Sequence, residues 1–255
     1  MLSHFFLFRT GNEEMRVLRS ILSAAFFLMF GTGGLLFSFI LLFPVSKVQA
    51  RKILRVLFRF FVWAGAKTHL FMVDISPEDR RRLKSVAGSV VVSNHQTLID
   101  AVILISLLGD SVCVTKEAVS RNPFMRVVAK KILVVNDGPI AVVRSAAHYL
   151  KEGINVVVFP EGTRTPADAP EHVFHRGSAH IAIQSSSPVE LVSMDCNMNV
   201  LAKGQPWWDV GNRTVTYAVR CKGCIDATDF AKGEESPKKA AIRLNDMMQK
   251  GVFGG

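Results

Sequence analysis

The chain has 255 residues, a formal net charge of +10 and a positive mean hydropathy of +0.26. That length holds one catalytic domain plus an anchor. A basic chain that is also apolar points to an anionic membrane surface. It points away from nucleic acid, and no zinc-finger, RNA-binding or helix-turn-helix pattern stands out.

From Ser20 to Ser46 no residue is charged. The run exceeds the roughly 20 residues that a helix needs to cross a bilayer core. It is too long for a signal-peptide core and lacks a persuasive cleavage site. Gly31, Gly33 and Gly34 near its middle leave a re-entrant or kinked course open. Arg9, Arg16 and Arg19 precede it, offset by Glu13 and Glu14, and Lys47, Arg51, Lys52, Arg55 and Arg59 follow it. The stronger basic flank predicts a catalytic domain on the cytoplasmic side of the inner membrane. In the segment 49–66 those basic residues recur at helical spacing among Ile53, Leu54, Leu57, Phe58, Phe60 and Phe61. This predicts a helix in the membrane interface, with its basic arc toward headgroups and Trp63 in the interfacial zone. The alternative is an amphipathic helix packed on the protein's own core. Residues 1–66 are thus expected to form a two-helix anchor and 67–255 the catalytic domain.

Asp79-Arg80-Arg81-Arg82 reads as a solvated helix or turn face. The apolar run Ser89–Ser93 then leads into Asn94-His95-Gln96-Thr97-Leu98-Ile99-Asp100. A strand that ends in a histidine-bearing turn is a natural catalytic position. Histidine is the commonest general base because its unperturbed pKa lies near neutrality. A carboxylate on its second ring nitrogen would fix the tautomer and stabilise the imidazolium. Five residues on a helix turn about 500°, so the two share no helical face. They meet only if His95 sits in the turn and Asp100 opens the following helix.

A second strand-like run, Asn155–Phe159, enters Pro160-Glu161-Gly162-Thr163-Arg164. Gly162 permits positive φ or close backbone approach, and the Arg164 fork suits a phosphate. Taken alone, this is a strand-ending turn with a solvated Glu and Arg.

The two blocks together resemble the glycerolipid acyltransferases of the 1-acylglycerol-3-phosphate acyltransferase type. That family carries Asn-His-x4-Asp and, some sixty residues later, Phe-Pro-Glu-Gly-x-Arg. The resemblance runs from roughly Val90 to Val192. Lys116-Glu117, Asn122-Pro123-Phe124 and Phe174-His175-Arg176-Gly177-Ser178-Ala179 are similar to further family segments. It implies acyl transfer from acyl-CoA or an acyl carrier protein to a lysophospholipid hydroxyl, with no tightly bound cofactor and no metal. His95 and Asp100 would be catalytic. Asn94, Glu161, Gly162, Thr163, Arg164 and Arg176 would bind substrate. Membrane lipids and an acyl carrier protein are the implied partners.

Two stretches depart from the family. Val134-Val135-Asn136-Asp137-Gly138 lacks the arginine that closes the second block. Pro188–Ser193 carries Glu190 and Leu191 where the fourth block is more apolar. Both regions shape the family's acceptor site. A specialised acceptor, such as an amino-acid lipid, is therefore the first alternative. A non-catalytic lipid-binding protein is the second, opposed by the intact His95 and Asp100. A serine hydrolase would need a Gly-x-Ser-x-Gly elbow, which does not appear.

Strands are expected at Val90–Ser93, Ser111–Thr115, Leu133–Val135, Asn155–Phe159, Leu191–Met194 and Thr214–Arg220. Helices are expected after Asp100, Asn122, Ala141 and Gly177, and from Ser236-Pro237 to near Gly251. The alternation predicts an α/β domain with a mixed, largely parallel sheet. Cys221-Lys222-Gly223-Cys224 lacks the two further ligands of a zinc site and reads as two reduced cysteines. His172, His175 and His180 read as loop and helix residues, with His175 near the acceptor site.

Overall fold

The computed structural model describes residues 2–116, 131–136, 138–202, 204–206, 208–231 and 236–254. The helix expected after Asn122 lies outside them, as do Glu117 and Asp137. Two helices come first, α1 (Leu2–Ile40) and α2 (Lys47–Lys67). They are followed by β1 (Phe71–Ile75), α3 (Pro77–Ser85), β2 (Val90–Ser93), α4 (Asp100–Leu107), β3 (Ser111–Lys116) and β4 (Leu133–Asn136). The chain continues through α5 (Pro139–Lys151), β5 (Asn155–Val158), α6 (Gly177–Ser185), β6 (Val189–Cys196), β7 (Val215–Ile225), α7 (Thr228–Ala231) and α8 (Pro237–Phe253).

The strands form one sheet in the order β1-β7-β6-β2-β5-β3-β4. All neighbours are parallel except β6 and β7, so the expected mixed, largely parallel sheet is what forms. Every residue of the central strands β2 and β5 is buried. That explains their unbroken apolar runs, since helices cover both faces. Alternation divides the core. Val90 and Val92 face a layer built on α5, α6 and α8, whereas Val91 faces α2 and α4.

The edge strand β1 is not evident in the sequence. Its residues alternate between buried or half-buried and exposed, and it carries Asp74. Its strand partner in the sheet is β7, which is distant in the chain. The residues after it form α3 rather than a turn, because Ser76 caps the helix through the Asp79 amide at 3.0 Å and Pro77 fits its first position.

A capping box starts α2. Ser46 Oγ accepts from the Gln49 amide at 3.2 Å, and the Ser46 amide donates to Gln49 Oε1 at 3.1 Å. The helix doubles back along α1. Phe26 and Phe30 meet Phe61 with ring centroids 4.8 and 4.1 Å apart. Residues 14–40 of α1 are long and apolar enough to cross a membrane, and only 17% of that apolar stretch is buried. Yet the start of that stretch and the turn after it are tied to the domain. The Arg19 guanidinium donates to the carbonyls of His69, Leu70, Gly211 and Arg213. At the other end Lys131 Nζ donates to the carbonyls of Phe43 and Val45. The helix therefore lies along the domain instead of projecting from it.

The basic arc of α2 is split: Lys52 and Arg59 are exposed, whereas Arg51 and part of Arg55 turn toward the protein. Arg51 is buried and makes two 2.9 Å hydrogen bonds to Asp110. Arg55 lies 3.7 Å from the same carboxylate, and Arg59 Nε donates to the Ser106 carbonyl at 3.0 Å. The packed alternative thus describes Arg51 and its neighbour Arg55, not the whole arc. The exposed stripe is Val56, Phe60 and Trp63. That part of the arc was misplaced because its partner, just beyond α4, is invisible to helical periodicity. Asp110→Ala is expected to destabilise the protein by about 1–3 kcal/mol. It leaves Arg51 buried without its counter-charge, an effect reduced because the Asp110 side chain is itself 35% exposed. Urea unfolding at constant detergent measures it.

Candidate active site

Strands β2 and β5 are parallel neighbours, so the turns that carry the two sequence blocks leave the same end of the sheet side by side. Ligands in parallel sheets bind beyond the carboxyl ends of the strands. His95 sits in the turn after β2, and Asp100 is the first residue of α4. His95 Nδ1 lies 3.0 Å from Asp100 Oδ2. The same oxygen accepts from the amides of Gln96 and Thr97, each at 2.7 Å, and the Thr97 hydroxyl donates to Oδ1. The Asp100 carboxylate is 1% exposed, so these donors replace its water and fix its direction. His95 stacks on Phe159 at 4.5 Å. With Nδ1 held by the carboxylate, Nε2 is the nitrogen left for a substrate.

Glu161 is turned inward. It is buried, and its Oε2 accepts from the His95 amide at 2.9 Å. Its Oε1 lies 2.9 Å from His172 Nδ1. The Thr165 amide also donates to the His95 carbonyl at 2.7 Å. Both backbone groups of His95 are therefore held by the loop after β5. Asn94 is likewise internal: its amide bridges Met194 N–H and C=O at 2.8 Å, extending the β2–β6 ladder by one residue. Neither side chain lines the open groove, so for both the geometry supports positioning rather than substrate contact.

That groove has a volume of about 570 Å³. His95, Gly162, Thr163 and Arg164, from the two blocks, line it. Gly162 has φ of +64°, and a Cβ there would approach His175 at 3.5 Å, so glycine relieves backbone strain rather than a clash. Arg164 Nη1 donates to the carbonyls of Leu201 and Ala202 at 2.9 and 3.2 Å. Part of its fork thus anchors the segment after β6. Arg176 is exposed, sits just before α6 and is not on the groove wall.

Other lining residues were not singled out as site residues. Lys116 ends β3, Asn136 ends β4, and Gly177 and Ser178 open α6. The signal was positional: each stands where an apolar run stops. No side chain caps α6, and its first amides offer donors to an anion. Cys113 also lines the groove, but burial pushes its thiol pKa up to about 12. It is a packing group, not a nucleophile. Glu190, by contrast, stands near the start of β6, away from the groove, and pairs with Arg82 at 2.6 Å. None of residues 188–193 is among the described residues that line the groove. Cys221 and Cys224 lie in β7 and are free. Among the described residues no cluster of His, Cys, Asp and Glu could hold a metal.

An acyltransferase family profile matches residues 74–195. The mouse 1-acyl-sn-glycerol-3-phosphate acyltransferase alpha is 26% identical over 214 residues, covering 78% of this chain and 70% of that protein. The crystal structure of the 1-acyl-sn-glycerophosphate acyltransferase PlsC from Thermotoga maritima superposes with a TM-score of 0.62 at 22% identity. The match covers 91% of this chain and 95% of that one, and it establishes the shared fold. The profile spans both sequence blocks, and with them the histidine–aspartate pair at the mouth of the groove.

Proposed function

We propose that this protein is a glycerolipid acyltransferase, which moves a fatty acyl group from a thioester of coenzyme A or an acyl carrier protein to the free hydroxyl of 1-acylglycerol-3-phosphate at a membrane surface. The observation that carries the reading is the His95–Asp100 pair opening on a groove that also holds Lys116 and Arg164. His95 Nε2 takes the proton of the acceptor hydroxyl as its oxygen attacks the thioester carbon. Asp100 stabilises the imidazolium that forms. The new C–O bond replaces the C–S bond, and the imidazolium returns the proton to the leaving thiolate. The thioester is already activated, so the enzyme's task is to make an alcohol nucleophilic. Lys116, the free part of the Arg164 fork and the first amides of α6 supply positive potential for a phosphate.

The exposed apolar faces of α1 and α2 would enter one leaflet of the inner membrane from the cytoplasmic side. The middle of α1, at Arg19, and the turn after the helix are tied to the domain, which favours a hairpin lying in the leaflet over a crossing helix. Acceptor lipid would then reach the groove without leaving the bilayer.

Steady-state kinetics that vary acceptor and donor separately test this reading. Lys116→Ala and Arg164→Lys should each raise the acceptor KM about 10-fold or more, the worth of a charge-assisted hydrogen bond. The donor KM should change little. Unchanged acceptor KM in both would remove the phosphate from this part of the groove. A second reading is favoured by one observation: neutral Asn136 lines the groove where the family's second block ends, without the arginine. A specialised acceptor predicts slow turnover of lysophosphatidate beside uncharged or amino-acid-bearing acceptors, read by mass spectrometry of the products with each thioester.

A further inference from the structure

A second groove, of about 450 Å³, lies between α2, α3, α4 and β1, and His95 is not among the residues that line it. Among the described residues its cations are Arg59, Arg80 and Lys84, and no carboxylate lines it. Arg80 and Lys84 are four residues apart on α3, so they share one helical face. Arg82, on another face, is spent on Glu190. Arg59 gives only its Nε to the Ser106 carbonyl. Glu78 and Asp79 occupy the first turn of α3 but do not line the groove. Three positive charges thus converge on a space with no internal counter-ion.

One wall of this groove is Trp63, which is 56% exposed. Its ring lies 5.7 Å from that of exposed Phe60, at an interplanar angle of 30°. These two rings and Val56 form the outward stripe of α2, beside the exposed apolar face of α1. The cations therefore border the apolar surface at the side of a tryptophan, the residue that marks headgroup depth. We infer that this groove binds the phosphate headgroup of an anionic membrane phospholipid that is not the substrate, and so orients the enzyme on the bilayer. The inference rests on the membrane reading given above. Continuity with the apolar stripe favours a lipid over an acidic protein, which would need no such edge.

Co-flotation of the full-length protein with vesicles tests it. The vesicles are phosphatidylcholine alone or phosphatidylcholine with phosphatidylglycerol. Each basic residue near an anionic surface is worth roughly fivefold in partition, so Arg80→Ala/Lys84→Ala should lose roughly 30-fold on the mixed vesicles. Its partition onto phosphatidylcholine alone should match the wild type. Arg81→Ala removes an exposed charge from the same helix outside the groove and should cost less than twofold. The inference fails if Arg81→Ala loses as much per charge as the double variant, because the attraction is then diffuse. It also fails if the double variant floats with mixed vesicles like the wild type. Loss of binding to an acidic acyl carrier protein with vesicle binding intact would assign the groove to a protein donor instead. A wild type that floats with neither vesicle would overturn the membrane reading itself, a result distinct from all of these.

Discussion

His95→Ala is expected to abolish acyl transfer while the fold and flotation with vesicles stay intact. His95 is half-buried at the groove mouth and its ring supports no core cluster, so its removal costs little stability. Loss of a general base alone costs on the order of 10²–10⁴ in rate. Here Nε2 is the group placed to take the acceptor proton, so the effect should reach the upper part of that range. Asp100→Asn tests the pair from the other side. Its carboxylate accepts four hydrogen bonds, two of them from the amides of Gln96 and Thr97. A carboxamide with its oxygen at the Oδ2 position can keep the bonds from His95, Gln96 and Thr97 N–H and donate its NH2 to the Thr97 hydroxyl, which can accept. It loses the negative charge that stabilises the imidazolium, and the flipped amide would present a donor to His95 and favour the wrong tautomer. A severe loss of kcat with modest loss of stability is expected. Single-turnover measurements with saturating thioester separate the chemical step from binding. A folded His95→Ala protein with near-normal turnover would refute the mechanism.

What the sequence disclosed follows the range of the forces involved. The β2 and β5 cores were legible because both strands are buried on both faces and therefore uninterrupted in their apolar residues. His95 and Asp100 were legible because a turn of four intervening residues brings them together locally. The partners of Arg51 were not, since Asp110 is 59 residues away. Helical spacing shows that Arg51, Arg55 and Arg59 share an arc, but not what the arc faces. Edge strand β1 depends in the same way on β7. The groove escaped for a related reason. Lys116, Asn136 and Ser178 stand in segments compared with the family's, but only the parallel order β2-β5-β3-β4 shows that they gather at one end of the sheet.

Glu161 offers the sharpest test of how the two blocks cooperate. Family resemblance assigns it to substrate binding, yet its carboxylate is buried and held by the His95 amide and His172. Glu161→Ala would leave the His95 N–H without its acceptor in a dry site, a cost of about 1–3 kcal/mol that the β2 turn can relieve only by moving. A displacement of about 1 Å at a catalytic base can cost 10²-fold. The expected result is therefore a fall in kcat of that order, with acceptor KM changed less than threefold. Glu161→Gln should recover most of the rate. Its carbonyl oxygen still accepts from the His95 amide, and its NH2 donates to His172 Nδ1 once that imidazole takes the other tautomer. A headgroup-binding role predicts a different split. Glutamine and alanine would then alter acceptor KM together, and no rescue of kcat would separate them. Since neither variant changes a group that lines the groove, a dominant KM effect would mean that Glu161 turns outward when acceptor binds.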